Sequence, residues 1–327
     1  MSESAEPQVD NHLSNDHLLQ ALSNDVRQGF FAQKKFLPPI WFYDEKGSVL
    51  FEEITHLTEY YPTRAERELL ERYSLEMARM ANADTLVELG AGSCAKTNLL
   101  LDAMKVSGNL IRYIPFDVSE DFLRDATAEL MQSYPELEIR AVVGDFNNHL
   151  SKIPSQGRRL VAFLGGTIGN LTPLQRKRFL FDLNSVMNHS EYLLIGTDLV
   201  KDPKVIVSAY DDAAGVTAAF NRNVLTVLNN RLGANFNPDQ FEHIALWNDQ
   251  EEWVEMRLRA TCDLRVAFNE LGLECFFEAG EDLLTEVSAK FTPERLQNEL
   301  FTAGFIVDKM WGIEKGEFML TLAHPFC

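Results

Sequence analysis

The run from Thr85 to Thr97, TLVELGAGSCAKT, places an apolar segment directly before a glycine-rich loop and the start of a helix. Gly90 and Gly92 let the backbone turn tightly and approach a ligand that a β-carbon would push away. The N–H groups of the following helix face the same point. The run therefore predicts a nucleotide-like cofactor at residues 90–96, although such a loop by itself also fits a dinucleotide pattern or a simple turn.

Two further apolar segments end in acidic residues. LIRYIPF leads to Asp117, whose carboxylate can accept hydrogen bonds from two ribose hydroxyls. EIRAVVG leads to Asp145 and Phe146, an acceptor for an exocyclic amine beside a ring that can cover a purine. A glycine loop, an acid and an acid–phenylalanine pair at three successive strand ends are the pattern of class I methyltransferases that bind S-adenosylmethionine. For each aspartate alone, the alternative is a helix cap or a solvated turn.

Five predicted strands alternate with helices, which favours a doubly wound α/β sheet. Between the fourth, RLVAFLG, and the fifth, YLLIGTDL, we expect a helix capped by Thr172 that begins at Pro173. The helix and antiparallel hairpin that complete such a sheet come only at the end of the chain, so a long segment after the fifth strand interrupts the sheet. This segment includes a helical stretch, YDDAAGVTAAFNRNVLTVLNNRL. We expect a Rossmann-like class I methyltransferase core at 64–200 and 290–327, an inserted α+β substrate-binding lobe from 12–63 and 201–289, and a disordered tail at 1–11.

Composition and charge narrow the class of protein. The 327 residues contain 30 Lys and Arg against 49 Asp and Glu, and this formal net charge of −19 disfavours nucleic acid as a partner. No apolar run is suited to cross a membrane and the start MSESAEPQVDN has no signal-like core, so we expect a cytoplasmic protein, and a monomer.

The cysteines and histidines predict neither a disulfide framework nor a metal site. The four cysteines are scattered without CxxC spacing, and the seven histidines show no HxxxH or HxH spacing. Cys94 lies in the predicted cofactor loop, where we expect a small packing residue rather than a nucleophile.

We expect the substrate pocket in the inserted lobe, beside the carboxyl ends of the parallel strands. Tyr43, Tyr60 and Tyr61 lie in a short segment that is too polar for simple core. Asn170 ends GGTIGN after the fourth strand, where amine-modifying methyltransferases hold the nucleophile. The Asn/Asp-Pro-Pro-aromatic signature of nucleic-acid N-methyltransferases is absent there. The alternative for Asn170 is a turn residue before the helix cap.

Longer strings, in this order, resemble the histidine Nα-methyltransferases of ergothioneine biosynthesis from about residue 20 to the C-terminus: WFYDEKGSVLFEEIT, EYYPTRAERELL, LVELGAGSCAKT, IPFDVS, VVGDF, FLGGTIGNL, GTDLVKD, AYDDAAGVTAAFNRNVL and EDLLTEVSAKF. The resemblance implies that S-adenosylmethionine, released as S-adenosylhomocysteine, methylates the α-amino group of L-histidine three times to give hercynine, with no metal.

The resemblance also implies a role for individual residues of this sequence. On the cofactor side these are Gly90 and Lys96 for the loop, Asp117 for the ribose, and Asp145 with Phe146 for the adenine. On the substrate side they are Tyr60 and Tyr210 for the carboxylate, Asn170 for the α-amino nitrogen, Glu286 and Ser288 for the imidazole, Tyr43 to help orient the amine, and Met256 to line the ring pocket. Two residues apart in LTEVS, Glu286 and Ser288 share one side of an extended segment and can address both ring nitrogens.

Three rival functions remain open from the sequence. A nicotinamide-dependent oxidoreductase shares the glycine loop but has no use for Asp145 and Phe146. A catalytically silent scaffold has no reason to keep the polar pocket residues. A methyltransferase of another aromatic amino acid is the nearest alternative, and Glu286 argues against it because a buried carboxylate can pair with an imidazole but would be left poorly matched by an indole or phenyl ring.

Overall fold

The structure is a computed structural model that describes residues 7–92, 96–146, 148–313 and 316–326. The predicted packing role of Cys94 lies outside the described residues. The strands in chain order are β1 (Gln8–Asn11), β2 (Lys35–Phe36), β3 (Thr85–Leu89), β4 (Arg112–Asp117), β5 (Glu138–Val143), β6 (Arg159–Phe163), β7 (Tyr192–Asp198), β8 (Phe241–Asn248), β9 (Trp253–Ala260), β10 (Leu264–Phe268), β11 (Leu273–Phe277), β12 (Asp282–Ala289), β13 (Phe305–Gly312) and β14 (Phe318–Pro325).

Helices lie between most of these strands, and the described helices are all too short or too polar to span a membrane. The helices in chain order are α1 (Asn15–Gly29), α2 (Glu45–Thr55), α3 (Pro62–Ala81), α4 (Thr97–Ser107), α5 (Glu120–Ser133), α6 (Pro173–Ser185), α7 (Pro203–Tyr210), α8 (Val216–Leu232) and α9 (Pro293–Thr302). Thr172 is the N-cap of α6 and Pro173 its first residue, as predicted.

The chain divides into two compact units. One, the core unit, comprises Met1–Ser14, Arg64–Val200 and Phe291–Cys327. The other, the insert unit, comprises Asn15–Thr63 and Lys201–Lys290.

The core unit is built on one eight-stranded sheet with the order β1-β5-β4-β3-β6-β7-β14-β13. The strands from β1 to β7 in this order pair in parallel, and β14 and β13 continue the sheet antiparallel. This confirms the doubly wound α/β fold. The order reverses between β3 and β6, and in such sheets ligands bind at the carboxyl ends of the strands at that point.

The N-terminal strand corrects the sequence interpretation. Gln8–Asn11 pairs in parallel with β5, from Gln8 opposite Arg140 to Asn11 opposite Val143. The disordered tail predicted for 1–11 is therefore wrong for residues 8–11, and so is the expectation that nothing before residue 63 joins the sheet. Four residues are too few to show an alternating pattern, and the strand depends on backbone bonds to β5 and on the ion pair of Asp10 with Arg140, 2.6 Å.

The insert unit contains a four-stranded sheet, β2-β12-β9-β8, a β10-β11 hairpin and four helices of the described chain, α1, α2, α7 and α8. Phenylalanine rings, among them Phe30, Phe236 and Phe268, pack in its core with centroids 5.3–5.9 Å apart. The helix predicted across 210–232 is interrupted, because α7 ends at Tyr210 and α8 begins only at Val216. Asp212 accepts hydrogen bonds from the first N–H groups of α8 and so caps a separate helix.

Candidate active site

The glycine loop of the core unit follows the fully buried strand β3. Gly90 and Gly92 have φ angles of 71° and 51°, the left-handed region in which glycine is favoured. The N–H of Gly90 donates to the carbonyl of Phe116, 2.8 Å, and this bond fixes the turn of the glycine loop against the end of β4. A β-carbon on Gly90 would come within 3.4 Å of the Phe146 ring. At Gly90 the loop therefore has no side chain between its backbone and the Phe146 ring.

Asp117, at the end of β4, is tied to this loop. Its carboxylate accepts one hydrogen bond from the N–H of Gly92 and one from the N–H of Ser119, each 3.1 Å. Burial raises the pKa of Asp117, and these backbone N–H groups offset only part of that effect. A carboxylate held in this way at the end of a strand can accept hydrogen bonds from two neighbouring hydroxyl groups of a ligand.

Phe146, after β5, lies among rings from the neighbouring strands. It stacks on Phe116 with centroids 5.6 Å apart and meets Phe163 edge-on at 5.5 Å. The preceding Asp145 accepts a hydrogen bond from the side-chain amide of Asn148, 2.7 Å. The structure therefore brings Gly90, Asp117 and Phe146 together at the carboxyl edge of the parallel strands.

Lys96, the last described position of the loop before α4, forms an ion pair with Glu66 of α3. Glu66 is fully buried, and its second oxygen accepts a hydrogen bond from the N–H of Gly165, 2.7 Å. Gly196 of β7 makes room for it, because a β-carbon there would lie 2.2 Å from the carboxylate. Sequence reasoning missed Glu66, since one glutamate in a strongly charged helix gives no signal of burial.

Asn170 ends a single turn of 3-10 helix, Thr167–Asn170, just after β6. Gly165 and Gly166, with φ angles of 76° and 67°, start this turn. The Asn170 side chain is half-buried and makes no hydrogen bond within the part of the chain that the structure describes. Because β6 neighbours β3, Asn170 and the glycine loop lie at the same edge of the sheet.

In the insert unit, a polar cluster joins α7 to the end of β12. The hydroxyl of Tyr210 donates to Ser288, 2.8 Å, and the ammonium of Lys290 donates to both oxygens, 3.0 Å each. All three side chains are buried. The sequence singled out Tyr210 and Ser288 but not Lys290, which sequence reasoning had no means to place beside a tyrosine 80 residues away.

Aromatic rings continue from this cluster. Tyr60 meets the Tyr210 ring edge-on, with centroids 6.2 Å apart. Phe51 lies 6.3 Å from Tyr60 on one side and 5.7 Å from Tyr43 on the other. Tyr43, Tyr60 and Tyr210, three of the four tyrosines named from the sequence, therefore lie in one aromatic row of the insert unit.

Glu286 of β12 lies opposite Met256 of β9 in the antiparallel register. The two residues are only 8% and 2% exposed. Burial raises the pKa of Glu286 to about 7, although the nearby charge of Lys290 acts in the other direction. Among the described residues, nothing hydrogen-bonds to the Glu286 side chain, so a buried acceptor is left for a ligand. The described residues include no cluster of His, Cys, Asp or Glu suited to a metal ion.

Comparisons with known proteins agree on one family. A family model described as "Histidine-specific methyltransferase, SAM-dependent" matches residues 22–325. The chain is 54% identical to the histidine N-alpha-methyltransferase of Mycolicibacterium smegmatis and 51% identical to that of Mycobacterium tuberculosis, each over 96% of this chain and 98% of the relative. It is 33% identical to ergothioneine biosynthesis protein 1 of Neurospora crassa, over 60% of this chain and 23% of that protein. The chain belongs to the family of histidine-specific, S-adenosylmethionine-dependent methyltransferases.

Proposed function

We propose that this protein transfers methyl groups from S-adenosylmethionine to the α-amino nitrogen of L-histidine, three times in succession, and so forms hercynine in ergothioneine biosynthesis. Family membership supports the reaction class and the substrate. The observation that carries the substrate is Glu286, a carboxylate only 8% exposed to which nothing in the described chain hydrogen-bonds. Such a group needs a partner that brings its own N–H, and an imidazole does so.

The core unit supplies the residues that we propose for S-adenosylmethionine. The open backbone at Gly90 fits a ligand that passes close to it, Asp117 fits the ribose hydroxyls, and Phe146 with Asp145 fits the adenine. Lys96 brings a cation to the same loop. When bound, S-adenosylmethionine supplies a methyl carbon that is electrophilic because it is attached to a sulfonium.

The insert unit supplies most of the residues that we propose for histidine. The hydroxyls of Tyr60 and Tyr210 bind the carboxylate, and Glu286 with Ser288 binds the imidazole. Met256 lines the ring pocket beside Glu286. Anchoring both ends of the amino acid fixes the direction of its α-amino group, which is how positioning lowers the barrier of a displacement.

We propose that Asn170 and Tyr43 act on the α-amino group itself. The amide oxygen of Asn170 accepts an N–H of the neutral amine and leaves the lone pair free for the methyl carbon. Tyr43 helps to orient the amine, and the aromatic row tolerates the growing ammonium through cation–π contact. After two methylations the neutral nitrogen has no N–H left, so the carboxylate and imidazole contacts must orient the third step.

Histidine is favoured over another aromatic amino acid as substrate. A phenyl ring beside Glu286 would leave a buried carboxylate without a donor, and an indole, although it has one N–H, lacks the second ring nitrogen that an imidazole presents to Ser288. A site built to hydrogen-bond its ligand rejects one that lacks the group. The oxidoreductase alternative no longer applies, because the chain belongs to a methyltransferase family.

We further propose that the protein works as a monomer in the cytoplasm. Of the described cysteines, Cys262 and Cys275 are free thiols, as a reducing compartment favours. Light scattering coupled to size-exclusion chromatography measures the oligomeric state, and a dimer at working concentration would contradict the proposal.

The test is a calorimetric screen of amino acids against protein saturated with S-adenosylhomocysteine, followed by mass spectrometry of turnover products. We expect histidine to bind more tightly than tryptophan, phenylalanine and tyrosine, and to be converted to its trimethylated betaine. Preference for tryptophan, or methylation on the ring, would reject the histidine assignment.

A further inference from the structure

A chain of buried hydrogen bonds in the insert unit connects the end of α7 with β12. It consists of Thr285 of β12, Asn221 of α8 and His243 of β8, which are 1%, 0% and 7% exposed, and we call these three residues the spacing network. Polar side chains are buried in this way only when their donors and acceptors are paired. The proposed mechanism uses none of the three. The network nevertheless ends at two residues that the mechanism does use, Glu286 and Tyr210.

Asn221 holds the middle of the network in one orientation. Its amide nitrogen donates to Nδ1 of His243, 2.8 Å, and to the carbonyl of Arg257, 3.2 Å. A carbonyl only accepts, so the amide nitrogen and not its oxygen must face Arg257. The amide oxygen accepts from the hydroxyl of Thr285, 2.7 Å. Both protons of the amide and its oxygen are therefore used.

His243 joins Asn221 to the backbone of Tyr210. Because Nδ1 accepts from Asn221, the ring proton lies on Nε2, which donates to the carbonyl of Tyr210, 2.8 Å. Burial lowers the pKa of His243, which favours this neutral ring. Tyr210 is the last residue of α7, and the last carbonyls of a helix have no partner within it. His243 supplies that partner and so fixes the backbone that carries the Tyr210 side chain.

At the other end of the network, Thr285 lies at the register shift between Leu284 and Glu286. A residue at such a bulge loses its regular place in the ladder of backbone hydrogen bonds. The Thr285 hydroxyl contacts Asn221 and lies 3.0 Å from the carbonyl of Met256, which belongs to the neighbouring strand. These side-chain contacts hold the bulge, and with it the backbone that carries Glu286.

We propose that the spacing network sets the distance between Glu286 and Tyr210, and so makes the site select its substrate by the length of the amino-acid side chain. This rests on the proposed function, in which Glu286 binds the imidazole and Tyr210 the carboxylate. The three residues of the network are positioning residues, because they act through these two anchors. Histidine carries its ring on one methylene group, so a site of fixed spacing rejects a homologue that carries the same ring on two.

The experiment measures the affinities of L-histidine and L-homohistidine, which has one more methylene before the ring, for protein saturated with S-adenosylhomocysteine. We expect the wild type to prefer histidine about tenfold or more. Thr285→Val keeps the branched shape without the hydroxyl and should reduce this affinity ratio about tenfold. Thr285→Ser keeps the hydroxyl without the methyl group, so it should preserve the ratio although the lost methyl group lowers stability.

The matched pair separates positioning from stability. An unchanged ratio in Thr285→Val, or the same fall in Thr285→Ser, overturns the proposal. A wild type that binds the two ligands equally well also overturns it.

His243→Asn tests the other end of the network and keeps the test decisive if Thr285→Val does not fold. The shorter side chain retains an acceptor near the position of Nδ1 and lacks the donor to the Tyr210 carbonyl. We expect the affinity ratio to fall about tenfold again, and an unchanged ratio overturns the proposal. Urea denaturation shows whether each variant is folded. A wild type that binds S-adenosylhomocysteine but not histidine rejects the proposed function instead, which separates the two failures.

Discussion

Met256 and Glu286 stand opposite each other across β9 and β12, immediately after a register shift between Leu284 and Glu286. The shift realigns the last part of β12 against β9, and both side chains are buried. The residue at 256 therefore controls the volume beside the carboxylate at 286. This pair leads to predictions about the pH dependence of the protein's stability and about its choice of substrate.

The first prediction concerns the pH dependence of stability. The pKa of Glu286 is raised from 4.5 to about 7, so its neutral form is favoured in the folded protein. The stability associated with this group is fully present below pH 4.5 and is lost as the pH rises through about 7, a change of about 3 kcal/mol. We expect Glu286→Gln to gain that amount relative to the wild type between pH 4 and pH 8, measured by urea denaturation.

Glu53→Gln, at an exposed site on α2, is the matched control. Its stability relative to the wild type should stay level over the same pH range. A Glu286→Gln curve that runs parallel to that of the wild type would mean that the carboxyl titrates as in water.

The second prediction concerns Asp117. Asp117→Ala removes the carboxylate that accepts from Gly92 and Ser119 and that we propose for the ribose, so S-adenosylhomocysteine affinity should fall by about 1.5–3 kcal/mol. Asp117→Asn keeps an acceptor without the charge and should lose less. Calorimetry without histidine measures both, and wild-type affinity in the alanine variant would remove Asp117 from the site.

The third prediction tests the burial of Glu66. A β-carbon at Gly196 would lie 2.2 Å from the Glu66 carboxylate, so Gly196→Ala should displace the acid and its contacts with Lys96 and Gly165. Overpacking of this kind costs about 1–3 kcal/mol of folding free energy. Gly312→Ala is the control, because the nearest atom there is 3.8 Å away. Equal unfolding midpoints for the two variants would contradict the buried position of Glu66.

The fourth prediction concerns Asn170. The Asn170→Ala variant should form monomethylhistidine about ten- to a hundredfold more slowly, because the amine loses the acceptor that directs its lone pair. Affinity for S-adenosylhomocysteine should change little. Single-turnover kinetics with mass detection measure the first step. Parallel losses of rate and cofactor affinity would assign Asn170 a structural role.

The parallel strands and the closing hairpin could be predicted because each carries its own local pattern. Glycines, aspartates and a phenylalanine directly after strands also marked the cofactor side, where Gly90, Asp117 and Phe146 lie together. Local patterns show nothing of contacts between distant segments. Strand β1 depends on a partner about 130 residues away, and Glu66 binds Gly165 across 99 residues. The binding roles of the individual residues remain predictions.

The last prediction is a change of substrate preference. Glu286→Ala removes the acceptor for the imidazole, so histidine should lose about 1.5–3 kcal/mol, or ten- to a hundredfold, in kcat/KM. Tryptophan should lose less, because its indole no longer meets a buried carboxylate. Adding Met256→Val shortens the side chain opposite and should extend the shift toward the larger ring. Met256→Leu, which nearly conserves volume, is the control and should leave the preference of Glu286→Ala unchanged. Equal losses for histidine and tryptophan would show that Glu286 supports the fold rather than the choice of ring.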